Sequence, residues 1–337
     1  ILLPLLYKVS IFKKECVMVL PKVVFRVANK GTQELMDIYD GLYGPSRKGQ
    51  LNPFGKLQFS RVRQEIEKRL QIVEVTPDSR NIDLQSQMAG KFEKGKFKGQ
   101  CKDQVHEFGM DDAETLRRWR LGGEKANKTA FALMNPETRE VLAAIYVYRS
   151  HHAVSTEMSM SERLPGNVYD ILHQEPAPLG GQPTSLIFYS ISRFGKMAGE
   201  GELLISKLHH YLNEQYADQP EVIFSTLSPL RGFGKWLDRT NPTLFGKIID
   251  ESSLITCEKE ILENAIEYFF HAKQNDGLPI DPVQKFHLSN GASLDKIHSL
   301  GDLSKRGISS SAGLMVNYKY EMKTLEKTAN GTTRELI

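Results

Sequence analysis

The segment "FSTLSPLRGFGKWL" (224–237) ends an apolar run in Ser225, Thr226 and Ser228, follows with Pro229, and loosens at Gly232 and Gly234. A serine hydroxyl at a strand end caps a sheet edge or lines a reactive pocket. His287 lies in "VQKFHLSNGASL" (283–294), between Phe286 and Leu288 and before the turn-forming pair Asn290-Gly291. Histidine is the side chain best suited to moving protons near neutral pH, yet a lone histidine among apolar neighbours also serves as a hydrogen-bonded core residue. The residue types alone leave both readings open for Ser228 and for His287. A third candidate is the turn "RFGKMAGEG" (193–201), where Gly195, Gly199 and Gly201 permit close backbone approach and Arg193 and Lys196 add positive charge. Backbone N–H groups at a helix start form a natural phosphate site. An ordinary strand-to-helix connection would use the same glycines. His209 and His210 read as packing or solvent-facing residues, and His151 and His152 as surface turn residues.

The elements that must position these groups follow from apolar spacing. "TSLIFYSIS" (184–192) and "PEVIFSTLSP" (220–229) read as buried strands, joined by the turn 193–201 and the helical stripe of "ELLISKLHHYLNEQY" (202–216). That is a β–turn–α–β unit, for which a right-handed crossover is expected. "TAFALMNPETREVLAAIYVYRS" (129–150) reads as strand, turn, strand, and "AGLMVNYKY" (312–320) as a last strand. "TQELMDIYDGLYG" and "FSRVRQEIEKRLQIVEV" (59–75) have helix-like spacing, 240–282 reads as mostly helical, and "DDAETLRRWRLG" (111–122) as a short helix. A change of texture near 110 divides the chain into a mainly helical region, 1–110, and a second domain, 111–337.

Composition narrows the class. The chain has 337 residues, 40% hydrophobic and 25% charged, with a net charge of +3. That describes a globular protein of one large or two modest domains, with too little charge to imply a nucleic-acid or membrane partner. Residues 1–110 carry 19 Lys+Arg against 12 Asp+Glu, partly in "GKFEKGKFKGQCK" (90–102), which reads as a solvated linker or hairpin tip. Cys16, Cys101 and Cys257 fit no disulfide framework and no zinc pattern, so a reducing compartment is expected, the cytoplasm first. The first segment starts without Met and has Glu15 as its one acidic residue before Glu34. It allows a start at Met18 or an organelle-transit reading, the mitochondrial matrix being the alternative compartment. No apolar run reaches the roughly 18–20 residues that span a membrane. Walker A, GxGxxG, HExxH and CxxC motifs are all missing, which argues against nucleotide, dinucleotide and metalloprotease chemistry.

"LIFYSIS", "FSTLSPLRGFGKWL", "FHLSNGASL" and "DLSKRGISSSAGLMVNYKY" occur in this order. Together they resemble the catalytic domain of malonyl-CoA decarboxylase, over much of 184–322. The resemblance implies an α+β or α/β acyltransferase-like (GNAT) fold, a mixed sheet with flanking helices and a helical region in front, with coenzyme A at the β–turn–α unit. It also implies that Ser228 and His287 carry the reaction. Under it, Arg193, Lys196, Gly199 and Gly201 become candidate coenzyme A contacts, and Asn317 and Tyr318 candidate supporting donors on the last strand. Ser225 and Thr226 stay plain strand hydroxyls. Loss of CO2 from a malonyl thioester leaves an enolate delocalised into the thioester carbonyl, so no metal, pyridoxal or biotin is obligatory. What the protein must supply is a dry oxyanion environment and a proton for carbon. In this reading His287 gives that proton and Ser228 orients the malonyl group. The sequence departs from the family pattern at Lys296 and His298 and in the turn 193–201. A helical N-terminal domain mediates oligomerisation in the family, which makes a homo-oligomer one expectation here. An acyltransferase on the same fold and a non-catalytic acyl-CoA binder are the rival functions.

Overall fold

A computed structural model describes residues 30–76, 81–94, 127–150, 184–218, 222–249 and 253–321. Compactness divides the chain into two units, residues 1–70 with 197–199, and the remainder.

The first unit is built on two helices. α1 (Thr32–Arg47) packs with α2 (Pro53–Arg69), and the rings of Tyr39 and Phe59 stack with centroids 5.1 Å apart. Asn52 starts α2 by accepting from Gly55 N–H at 2.7 Å, with Pro53 in the first turn, where its missing N–H loses no helical bond. Asp40 of α1 accepts from Ala198 N–H at 2.7 Å, and Gly199, at φ +76, sits where a Cβ would fall 2.5 Å from the Tyr43 ring.

The second unit is a mixed eight-stranded sheet with helices on its faces. Its strands are β1 (Gln71–Val75), β2 (Lys128–Met134), β3 (Val141–Ser150), β4 (Ser185–Arg193), β5 (Ile223–Thr226), β6 (Ser228–Pro229), β7 (Ala292–His298) and β8 (Met315–Tyr320). The order is β1-β2-β3-β4-β5-β8-β6, with β7 also on β8. All the pairings are antiparallel except β4 with β5. Helix α3 (Ile82–Lys94) covers one face, closing a core of Val75, Leu84, Met88, Ala130, Ala132 and Tyr146. Helix α4 (Glu200–Gln215) packs across β1 to β4, where Phe131 meets Tyr211. Residues Phe131 and Ala130 thus serve opposite faces, as the period of two requires.

Three expectations change. "QIVEV" (71–75), read as the end of a helix, is β1: the helix stops at Leu70, which is extended, and the segment pairs with β2. The front of the Lys-rich stretch, 90–94, is the end of α3 rather than linker or hairpin tip, and the rest of it lies outside the described residues. The strand expected over 220–229 is interrupted: β5 and β6 pair with β8 in one register, Phe224↔Tyr320 through Ser228↔Val316, with a break at 226–227. The expected helix at 111–122, the boundary near 110, and His151 and His152 lie outside the described residues. The strand–turn–strand at 128–150, the helix at 200–215 and the strand at 315–320 stand where the sequence places them.

Beyond the parallel pair, the chain surrounds β8 with short elements: α5 (Phe233–Thr240), α6 (Pro242–Ile248), α7 (Glu258–Phe270), α8 (Pro282–Ser289) and α9 (Lys305–Ser311). These carry the residues that frame the site.

Candidate active site

Ser228 stands at the point where the sheet opens. The β4–β5 pairing ends at Phe188↔Thr226, with Leu227 N–H donating to Phe188 O at 3.1 Å. Past it, β4 stays with β3 through a bulge at Tyr189, while β6 stays with β8. Bulges of this kind re-aim side chains beside functional sites. The break itself is stitched by side chains. Asn317 Nδ2 donates to Thr226 O at 2.6 Å, and Tyr318 N–H donates to Thr226 Oγ1 at 3.2 Å. Asn317 Oδ1 also meets His298 Nε2.

His287 arrives from the other side on α8. Asp281, fully buried, caps that helix: its Oδ1 accepts from Val283 N–H at 2.8 Å and Gln284 N–H at 2.9 Å. Its Oδ2 accepts from Gly232 N–H at 2.9 Å and from the Tyr268 hydroxyl at 3.2 Å. One carboxylate therefore ties the histidine helix to the turn four residues after Ser228. Gly232 is required there, because a Cβ would lie 2.1 Å from the Tyr268 hydroxyl. Gly234 is required two residues on, because a Cβ would lie 2.2 Å from the Ser309 carbonyl of α9.

These constraints bring the two predicted catalytic residues into contact. Ser228 Oγ and His287 Nε2 are 3.1 Å apart, and Ser228 Oγ is also 3.1 Å from Thr226 Oγ1. The other ring nitrogen, Nδ1, is 2.9 Å from the Tyr320 hydroxyl. The imidazole lies flat on Tyr318, centroids 4.6 Å apart and planes 24° apart. Ser228 is 7% exposed and His287 4%. Burial pushes the His287 pKa down to about 3, so the ring is neutral at physiological pH. Burial also raises the Tyr320 phenol above its usual range.

The remaining candidates divide. Tyr318 serves as a wall for the imidazole; its hydroxyl has no partner among the described residues. Asn317 is spent on the strand break rather than on the serine or histidine. Successive residues of β8 face opposite ways, so the partner of Tyr318 on the histidine side is Tyr320. Sequence reading missed Tyr320, although the period of two along "NYKY" points to it once Tyr318 is placed. It also missed Asp281 and Thr226.

In the turn 193–201, Arg193 and Lys196 are exposed, and Gly201 lies in the first turn of α4, where an added Cβ would sit 3.5 Å from Phe286, the neighbour of His287. Much of the turn's hydrogen-bonding capacity is already taken by other parts of the chain. Phe194 and Gly195 N–H both donate to Leu142 O, Asp40 takes Ala198 N–H, and the Glu200 carboxylate fills the space over Gly195. Gly199 meets the demand of a positive φ, which any tight turn could impose. His209 is buried, with Nδ1 3.1 Å from Asn213 Nδ2, while His210 is exposed. Cys257 is a buried free thiol. Among the described residues no three His, Cys, Asp or Glu side chains come together as a metal site would need, and no helix is long and apolar enough to cross a membrane.

Comparison with known proteins bears on this arrangement. Residues 247–334 match the malonyl-CoA decarboxylase C-terminal domain, a span that holds His287, Asn317, Tyr318 and Tyr320 but not Ser228. The chain is thus similar to malonyl-CoA decarboxylases over part of its length. It is 30% identical over 223 residues to "Malonyl-CoA decarboxylase, mitochondrial" of Anser anser anser, covering 55% of this chain and 43% of that protein. It is 30% identical over 176 residues to the protein of the same name from Mus musculus, covering 41% and 35%. The chain thus spans about two fifths of the length of these curated relatives. Crystal structures of malonyl-CoA decarboxylase from Rhodopseudomonas palustris and Agrobacterium vitis share the fold. Their TM-scores are 0.58 and 0.59, at 24% and 22% identity, covering 89% and 90% of this chain and 67% and 83% of those chains. The mixed sheet with flanking helices expected from the malonyl-CoA decarboxylase resemblance is the architecture observed.

Proposed function

We propose that the chain decarboxylates malonyl-CoA to acetyl-CoA and CO2, without a metal or organic cofactor. The observation that carries this reading is the buried hydrogen bond between Ser228 Oγ and His287 Nε2 at the opening of the sheet. The site supplies what the reaction needs. As the bond between the carboxylate and the methylene breaks, its electron pair passes into the thioester carbonyl and CO2 departs. A dry, prearranged set of donors stabilises the resulting enolate far better than water does. Ser228 orients the malonyl group, and His287 delivers a proton to the methylene carbon. Burial keeps His287 neutral, so the proton it gives is that of the neutral ring rather than of an imidazolium. A thioester enolate is basic enough to take it, and the ring is reprotonated from water when the product leaves.

Exposed Arg193 and Lys196, at the end of β4 and in the following turn, are the side chains we assign to the coenzyme A phosphates. Gly201, in the first turn of α4, is the glycine we assign to backbone approach there, since the Tyr43 ring fills the space over Gly199. Asn317 and Tyr318 hold the strand and the ring against which the acyl group lies. The relatives' names place those proteins in mitochondria, which favours the mitochondrial matrix over the cytoplasm for this chain.

The test is acetyl-CoA and CO2 formation from malonyl-CoA with no acceptor present. Turnover by the wild type, reduced about 10²–10⁴-fold in His287→Ala, supports the reading. Turnover that appears only when an amine or carrier-protein acceptor is added identifies a transferase instead. Malonyl-CoA binding with no turnover under either condition identifies a binding protein.

A further inference from the structure

The buried hydroxyls around His287 form a line rather than a cluster. It runs from the Tyr320 hydroxyl to Nδ1 (2.9 Å), through the ring to Nε2, on to Ser228 Oγ (3.1 Å) and Thr226 Oγ1 (3.1 Å), and ends at Val316 O (3.5 Å). Thr226 is fully buried and Tyr320 is 3% exposed, so bulk water does not complete either end. Every middle member can donate in either direction. The ends cannot.

At the Thr226 end, Val316 O only accepts, and Tyr318 N–H, 3.2 Å from Thr226 Oγ1, only donates. Thr226 therefore has one proton with a carbonyl to receive it and a lone pair left for the Ser228 proton. At the other end, the Tyr320 hydroxyl has one hydrogen-bond partner among the described residues, Nδ1. If Nδ1 carried the ring proton, the tyrosine proton would be buried with no acceptor. An unsatisfied buried donor is far more costly than an acceptor with a spare lone pair. Both ends thus favour the same direction of donation: Tyr320 to Nδ1, Nε2 to Ser228, Ser228 to Thr226, Thr226 to Val316 O.

We infer that Thr226 is a positioning residue, setting the direction of this chain so that His287 holds its proton on Nε2, the nitrogen facing Ser228 and the opening of the sheet. The ring is neutral and has one proton to place, so its location decides whether the histidine presents a donor or an acceptor to what lies beyond Ser228. The catalytic meaning of that donor rests on the decarboxylase reading. The tautomer itself does not, and it is measurable without substrate.

The experiment is a long-range 1H–15N correlation spectrum of the full chain labelled at histidine, at neutral pH. Loss of one of the 9 histidine spin systems in His287→Gln assigns the resonance. Wild type is expected to carry the proton on Nε2. Thr226→Val removes the acceptor, lets Ser228 turn toward the ring, and is expected to lower the ratio of the Nε2–H to the Nδ1–H form about tenfold, the size of one unsatisfied buried donor. Thr226→Ser is expected to restore the wild-type ratio. Thr226→Ala is read in the same way if the valine variant does not fold. A wild-type proton on Nδ1, a charged ring, or an unchanged ratio in a folded Thr226 variant overturns the inference. If the tautomer shifts as stated but no variant and no wild type makes acetyl-CoA, the decarboxylase reading fails and the positioning role stands.

Discussion

At the scale of single residues, His287 is held by contacts of different kinds: hydrogen bonds at both ring nitrogens and a ring beneath. Removing the Tyr320 hydroxyl leaves Nδ1 without its donor but keeps the ring packing. Tyr320→Phe is therefore expected to lower kcat for acetyl-CoA formation by about tenfold or more, with KM changed little, since one hydrogen bond in a buried network is lost rather than a wall of the pocket. Ser228→Ala removes the hydroxyl that links His287 to Thr226 and that we assign to orienting the malonyl group, and should cost kcat/KM about 10²-fold, within the range for a misplaced general acid. Steady-state kinetics of the purified variants check both. Arg193→Ala and Lys196→Ala are expected to act differently, raising KM for malonyl-CoA several-fold in a salt-dependent way while leaving kcat near wild type. A rise in KM that does not weaken with added salt would remove both residues from the phosphate contact.

At the scale of elements, Asp281 links the helix that carries His287 to the turn that follows Ser228. Its carboxylate serves α8 and the 229–232 turn together, so Asp281→Ala removes a helix cap and two further hydrogen bonds from a buried group. We expect a loss of about 2–4 kcal/mol in urea unfolding. Asp281→Asn keeps an oxygen for the helix cap but presents an amide N–H to Gly232 N–H. It should lose less stability, with most of its loss appearing in kcat as Ser228 and His287 drift out of register. Gly234→Ala tests the packing of α5 against α9. The added methyl meets a backbone carbonyl that cannot rotate away, and a destabilisation of about 2 kcal/mol or more is expected by the same measurement.

At the scale of the whole molecule, the burial of neutral imidazoles couples folding to pH. The His287 pKa falls from about 6.5 unfolded to about 3 folded, and that of His209 to about 4, both chiefly through burial. Between these values the unfolded chain binds protons that the folded chain does not. Stability is then complete above the unfolded pKa and is lost as the pH falls below it. The expected slope is about 1.4 kcal/mol per pH unit for His287 alone, between roughly pH 6 and pH 4. Urea midpoints measured across that range should flatten in His287→Gln. A wild-type midpoint that does not change from pH 6 to pH 4 would mean that His287 is not held neutral by burial.

Much of this was legible in advance. Apolar runs in 129–150, 184–192 and 202–216 mark their elements directly, since strands buried on both faces and a helix with one apolar stripe leave distinct patterns. Ser228 and His287 were legible as residue types that became specific through family resemblance. Other features had no local signal. "QIVEV" continues a helical spacing and becomes a strand because β2 offers it a partner. Asn317 and Tyr318 look equivalent in sequence, yet the pleat sends one to the strand break and the other to the imidazole. Thr226 looks like any strand hydroxyl, and Tyr320 stands 33 positions from the histidine it meets. Sequence by itself determined which side chains were present and which segments could be buried. Tertiary structure alone decided the distance between serine and histidine, the neutrality of the ring and the direction of its hydrogen bonds. Those depend on burial and on groups far apart in the chain, and burial and long-range pairing exist only once the sheet has closed around β8.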